Sequence, residues 1–333
     1  MTLWRWCGLS VIGAALIVLF PGSALFAATH FPCTTCHADK MRDKLDRAVH
    51  MADAGECDTC HQPVAGLRHP REKSSITVPP PRSADLCYRC HKRVTTEVVH
   101  APVAAGECTV CHVPHRSPGS SLLKKKGADL CFMCHQRAGF THRYGHGPVK
   151  GGNCLYCHDP HGSGSKKLLR KFGAGLCFDC HDRALEVGES VHEPVGYGEC
   201  WGCHAIHGSQ HRQLLKGNFD EEMYFPYERS RYELCFLCHR PELAEAQTTE
   251  LTGFRNGHYN LHFLHVNKGD RGRSCKACHD PHKAEQPRLV MPQVPGFGTW
   301  SIPMFFTVTS NGGTCVVGCH KPKTYDRIEP VVY

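Results

Sequence analysis

Apolar positions are unevenly distributed along this chain of 333 residues. One unbroken apolar run, residues 11–20, follows Arg5 and gives way to Pro21, Gly22 and small residues up to Ala27 and Ala28. That succession predicts a secretory leader over residues 1–27, cleaved between Ala24 and Ala28. The run is short for a membrane span, which needs about 20 residues, and nothing later is apolar enough to cross a bilayer as a helix. Cys7 precedes the run and has no assigned role. Elsewhere secondary structure is expected to be sparse. Short helices are predicted at the first of each pair of cysteine motifs, for example over 85–99 and 233–247. Gly-rich stretches between them read as turns and coil. Residues 218–231 read as a surface loop, and Pro79 to Pro81 as a linker. Leucine pairs recur at Leu122–Leu123, Leu168–Leu169 and Leu214–Leu215 and are expected to cover cofactor edges. Alternating β-branched and aromatic residues near 300–309 predict a small β-hairpin.

Composition changes this picture. The chain has 23 cysteines and 26 histidines against four tryptophans. A chain so rich in Gly and Pro would struggle to offset its conformational entropy with its own apolar surface. Something bound has to supply the core.

All but one of the cysteines fall in Cys-x-x-Cys-His motifs or a close variant. The first unit, 28–82, holds Cys33–Cys36–His37 and Cys57–Cys60–His61, with His50 and His69. Three tandem units fill 83–217. They pair Cys87–Cys90–His91 with Cys108–Cys111–His112, Cys131–Cys134–His135 with Cys154–Cys157–His158, and Cys177–Cys180–His181 with Cys200–Cys203–His204. In each, a histidine precedes the second motif in a His-x-Pro-Val context (His100, His146, His192) and another trails it by three residues (His115, His161, His207). A stretched unit, 218–291, holds Cys235–Cys238–His239 and Cys275–Cys278–His279, with His258, His262, His265 and the trailing His282. The segment 292–333 ends in a Cys-x-x-x-Cys-His variant, Cys315–Cys319–His320.

Cys-x-x-Cys-His is the attachment signature of c-type haem. Positions i, i+3 and i+4 share one helical face, so two thioethers and a proximal imidazole can meet one flat macrocycle. In the variant the sulfurs move to i and i+4, still on one helical face. Disulfides or zinc knuckles would not require a histidine after every second cysteine. The count is thus ten standard sites and one variant, about eleven covalent haems.

Eleven proximal histidines leave fifteen. His50, His100, His146, His192 and His265 ahead of second motifs, His115, His161, His207 and His282 behind them, and His69 would be distal ligands. One of His258 or His262 would complete the set. His30, His142 and His211 lack a repeated context and read as spares. A residue three after the proximal ligand cannot reach the far face of the same macrocycle, so each trailing histidine is expected to cap a neighbour's iron. Methionine falls at no repeated position, and two neutral imidazoles give a lower potential than His/Met ligation. Tyr88, Phe132, Phe178 and Phe236 inside first motifs read as local packing.

The formal charge of +8 is a poor guide to partners. Ferric haems with their propionates, once the leader is lost, would bring the total to about −4. Nucleic-acid binding has little support, and the lysine clusters at 124–126 and 166–171 read as solvated loops or propionate partners.

By these residues the chain resembles the doubled-motif multihaem c-type cytochromes of metal-reducing bacteria, and is similar to the decahaem cytochromes held in an outer-membrane porin. The resemblance spans 33–282, best at Cys157–His158–Asp159–Pro160–His161–Gly162, and 313–327 is similar to the endings of related periplasmic or outer-surface cytochromes. It implies a mostly coil fold with short α-helices, built as repeated dihaem units around an elongated haem chain. It also implies an electron-transfer conduit between periplasmic and outer-membrane or extracellular redox partners. Those partners would be other cytochromes or redox proteins, with a porin as a further candidate. The eleventh site departs from the decahaem pattern and puts porin threading in doubt. The alternative is a multihaem reductase of nitrite, hydroxylamine or a sulfur oxyanion, which needs one open haem. Histidine at every motif, with more to spare, favours the carrier. Monomer, porin complex and filament all stay open.

Overall fold

The computed structural model describes residues 33–37, 48–50, 57–80, 82–296 and 299–333. The expected leader and His30 lie outside them. Each of the ten Cys-x-x-Cys-His motifs closes one helical turn, the histidine N–H donating to the first cysteine's carbonyl at 2.8–3.0 Å. Helices go little further. The first-motif helices are Ala84–Cys87, Ala128–Cys131 and Glu233–Phe236, which corrects the longer spans expected from sequence. Downstream of Cys87 lies a β-branched run that prefers an extended backbone, and Val98–Val99 is drawn into a ladder with another unit. After Phe236, Pro241 starts a separate turn, Glu242–Glu245.

The His-x-Pro-Val segments form a second set of one-turn helices, Ala101–Ala104, Gly147–Lys150 and Glu193–Gly196. Proline at the second helical position presets φ and donates no hydrogen bond there. Gly106, Gly152 and Gly198 follow at φ +70 to +73°, the left-handed step that ends such turns. A side chain at Gly198 would sit 2.9 Å from the Cβ of Ala174, so this glycine also admits the backbone of its own unit's first motif.

Successive units are strapped together by two-residue antiparallel ladders. Ala48–Val49 pairs with Arg116–Ser117, Val98–Val99 with Gly162–Ser163, Tyr144–Gly145 with Gly208–Ser209, and Ser190–Val191 with Lys283–Ala284. Each joins the residues just ahead of one unit's leading histidine to those just behind the next unit's trailing histidine. The result is a quasi-one-dimensional stack in which a unit touches chiefly its neighbours.

The leucine pairs lie in a backbone bridge against the second motif. In three tandem units and the stretched one, the second-motif histidine bridges Leu123, Leu169, Leu215 or Val290. To reach it the chain turns through two consecutive left-handed residues, such as Lys167 (φ 61°) and Leu168 (φ 58°). Non-glycine residues pay about 1–2 kcal/mol for that conformation. Lys167→Gly is therefore expected to stabilise the protein by about 1 kcal/mol net of unfolded-state entropy. A denaturation midpoint that fell instead would refute the strain account.

Apolar burial is concentrated late in the chain. Among the described residues the buried apolar side chains begin at Ala174 and Leu215 and then gather after Phe225, while Phe172 is 87% exposed. Residues 218–231 are not the expected surface loop. Phe225 there joins Tyr232, Ala244 and Val266 in a cluster, Tyr224–Phe225 pairs with Gly272–Arg273, and Arg231 lies over Phe225 while binding Asp220 and Glu222. The expected hairpin is one part of a four-stranded antiparallel meander, Gln293–Pro295, Ser301–Val308, Gly312–Val317 and His320–Asp326. Its inner face packs Val294 and Met304 with Val290 against Cys278 and Cys315. Cys315 thus sits on a strand and His320 opens the next, across an irregular turn. The variant motif is a β-turn device, not the helical face that its spacing predicts. Among the described residues no helix is long and apolar enough to cross a membrane.

Candidate metal centres

The folding rules above bring histidines from different units face to face. Ten pairs form: His37–His69, His50–His91, His61–His115, His100–His135, His112–His161, His146–His181, His158–His207, His192–His239, His204–His282 and His262–His279. Their ring centroids are 5.9–6.4 Å apart in every case. Ordinary aromatic contacts scatter over about 4.5–7 Å, so the uniform separation calls for a common spacer. One metal ion with bonds of about 2.0 Å to a nitrogen of each ring sets the centroids about 6 Å apart.

Every pair joins a motif histidine to one outside the motifs, and the pairing runs in two directions. The leading histidines His50, His100, His146 and His192 reach forward to the first motif of the next unit. The trailing histidines His115, His161, His207 and His282 reach back to the second motif of the preceding unit. At the ends the rule changes. The first unit has no predecessor, and its own His69 faces His37. The stretched unit has no dihaem successor, and His262 from its insertion faces His279. His265 lies within electrostatic range of His320.

The backbone fixes how the rings are presented. Nδ1 of His61, His112, His158, His204 and His279 each lies 2.9–3.0 Å from a carbonyl, of Thr77, Ser121, Lys167, Gln213 and Arg288 respectively. The last four are the first residues of the left-handed pairs, so the strained turn is what aims the acceptor. His100 and His192 meet the carbonyls of Pro160 and Pro281, in the units to which they reach. A ring that donates through Nδ1 keeps the Nε2 lone pair for a metal, and the acceptor raises its basicity. Burial lowers the pKa of His146, His207, His239, His279 and His282, and takes His262 and His265 down to about 4. These rings are neutral at physiological pH, the ligating form.

Attachment thiols line up in sequence order. The first cysteines of the two motifs within a unit touch, as at Cys87–Cys108, Cys131–Cys154, Cys177–Cys200 and Cys235–Cys275. Between units Cys87 senses Cys60, Cys111 senses Cys134, Cys157 senses Cys180, Cys203 senses Cys238, and Cys278 senses Cys315. Each pair also presents two donors only: among the described residues no cluster of three or more His, Cys, Asp or Glu could hold an ion alone. Two axial imidazoles above a turn with two thiols suit an iron whose other four ligands come from a porphyrin. The residues fit haem.

Of the alternatives His258 and His262, the pair at His279 is made by His262, whereas His258 is exposed and hydrogen-bonded to Glu250 at 2.5 Å. His142 contacts the Gly139 carbonyl, 3.1 Å away, and belongs to no pair. The aromatics Tyr88, Phe132 and Phe178 each lie under an arginine: Arg93, Arg137 or Arg183. Sequence reasoning missed Asn260, which is fully buried. Its side chain caps the helix Leu261–Val266 through the His262 N–H and donates to the carbonyls of Leu243 and Ala246. That helix carries both His262 and His265. The only sequence signal would have been an Asn just ahead of an apolar turn.

Tandem attachment turns with facing imidazoles define a protein that holds several covalent haems for electron transfer. The doubled CXXCH motif family model matches residues 100–140, 146–186 and 192–244, and the model for cytochrome c7 and related cytochrome c matches 43–113. The chain belongs to the doubled-CXXCH multihaem c-type cytochromes. A search of curated proteins finds no match to it.

Proposed function

We propose that this chain carries eleven bis-histidine haems in sequence order and conducts electrons along them between redox proteins. The observation that carries this reading is the two-way exchange of histidines between consecutive units, with ten pairs at one common separation. When bound, each haem would supply an iron that gains and loses one electron at low potential. At the ten paired sites the proximal and distal imidazoles would close both faces of the haem, which leaves no position for a substrate there. The carbonyls on Nδ1 hold the rings in one orientation, so little in the chain has to move when charge passes. The touching thiols of neighbouring motifs keep successive sites adjacent, which transfer over distance requires.

In this reading residues 1–27 direct export, and the mature protein works in the periplasm, at the outer membrane or outside it. Its partners there are other cytochromes. Porin seating or self-association would be an addition to the conduit, not a part of it. The test is the intact mass of the matured protein together with its electron paramagnetic resonance. Eleven covalent haems and purely low-spin signals are expected. A stoichiometric high-spin signal would show an open iron and favour the reductase.

A further inference from the structure

We propose that the haem site between His262 and His279 has the highest reduction potential in the chain and is where electrons collect. This rests on the ligand reading above and adds a property that the motif spacing does not carry. Among the described residues, His262 is the only member of a pair with a ring nitrogen, Nδ1, that is both enclosed and without a hydrogen-bond partner. Other distal rings do have acceptors: His69 has the Ser75 hydroxyl at 3.1 Å, and His192 has the Pro281 carbonyl at 3.0 Å. An acceptor on Nδ1 makes an imidazole a stronger donor and stabilises the more highly charged ferric state. Without one, the ferric state loses that support and the potential rises.

The surroundings act in the same direction. Phe254 packs its apolar ring on His262 in a T-shaped contact, centroids 5.1 Å apart. Behind the attachment turn, Ala277 is 2% exposed, and Cys278 packs on the Val290, Val294 and Met304 cluster. Low polarity disfavours the cationic ferric core. At the other end, Cys33, Cys36 and His37 are exposed.

The experiment is a potentiometric titration of the complete holoprotein followed by electron paramagnetic resonance. His262→Ala assigns the site, as the low-spin component that it converts to high-spin. Should that variant fail to mature, His262→Met assigns it by an altered low-spin component. In the unmodified protein the assigned component is expected to be the first to disappear on reduction. Phe254→Gln, which puts an amide oxygen beside the ring nitrogen, should move its midpoint to lower potential. A component that titrates with or after the others overturns the inference and leaves the ligand reading intact, as does a midpoint that Phe254→Gln leaves in place or raises. If neither His262 variant alters the low-spin spectrum, the ligand reading fails and the inference with it.

Discussion

Deleting residues 129–174 is expected to give a shorter cytochrome with two haems fewer and no open iron. The histidines His100, His146 and His192 are spaced by 46 residues, and the deletion removes one such period. His100 would then reach forward to His181 in place of His135, and His207 would reach back to His112 in place of His161. The ladder would re-form as well, because Gly208–Ser209 offers Val98–Val99 the same two residues as Gly162–Ser163. Stacked repeats tolerate such excision because stability resides in units and nearest-neighbour interfaces. Deleting 129–151 alone is the control. It removes one motif together with His146, strands His100, and leaves His181 unpartnered. Intact mass and carbon monoxide titration separate the outcomes: two haems lost and no gas bound in the first case, one haem lost and one gas molecule bound in the second. Binding of gas by the whole-period deletion would contradict the exchange.

The second large effect is expected at His161. His161→Ala should open one iron, and that iron should be the one on Cys108 and Cys111, although His161 is three residues from His158. The pair His112–His161 has centroids 5.9 Å apart, while His158 faces His207. The variant is expected to show one high-spin haem that binds one carbon monoxide. Adding Cys108→Ala and Cys111→Ala should abolish that signal by removing the haem. Adding Cys154→Ala and Cys157→Ala should leave it. The reverse pattern would place the trailing histidine on its own motif's iron.

Much of the site was legible because covalent attachment dictates residue type at fixed spacing. Cysteine and histidine at i, i+3 and i+4 have few other reasons to recur, and the offsets of His100 and His115 from Cys108 announce a repeated unit. What spacing along one unit does not contain is the direction in which each histidine reaches. That is set by ladders between segments some 60 residues apart, such as His100 with Pro160. The same limit explains the choice between His258 and His262. Both lie in an insertion without a repeat to compare, and the buried Asn260 turns His262 inward. The long helix predicted at 85–99 failed where a β-branched run was drawn into a ladder, and the one at 233–247 failed where Pro241 starts a separate turn. The strand carrying Cys315 was hidden because its motif was read with the helical period of the other ten. The left-handed residues Ser121, Lys167, Gln213 and Arg288 carry no type signal, since it is their carbonyls that act.

Strapping each repeat to the next has a bearing on breakage. If the chain is severed near Ser165 and the halves drift apart, the upstream piece keeps His158 without His207, and the downstream piece keeps His181 without His146. On the proposed ligation each fragment would bear one five-coordinate centre at its broken edge, where the ten described pairs of the unbroken molecule leave none. Damage to this protein would then advertise itself as new peroxide and gas chemistry, in proportion to the number of cuts.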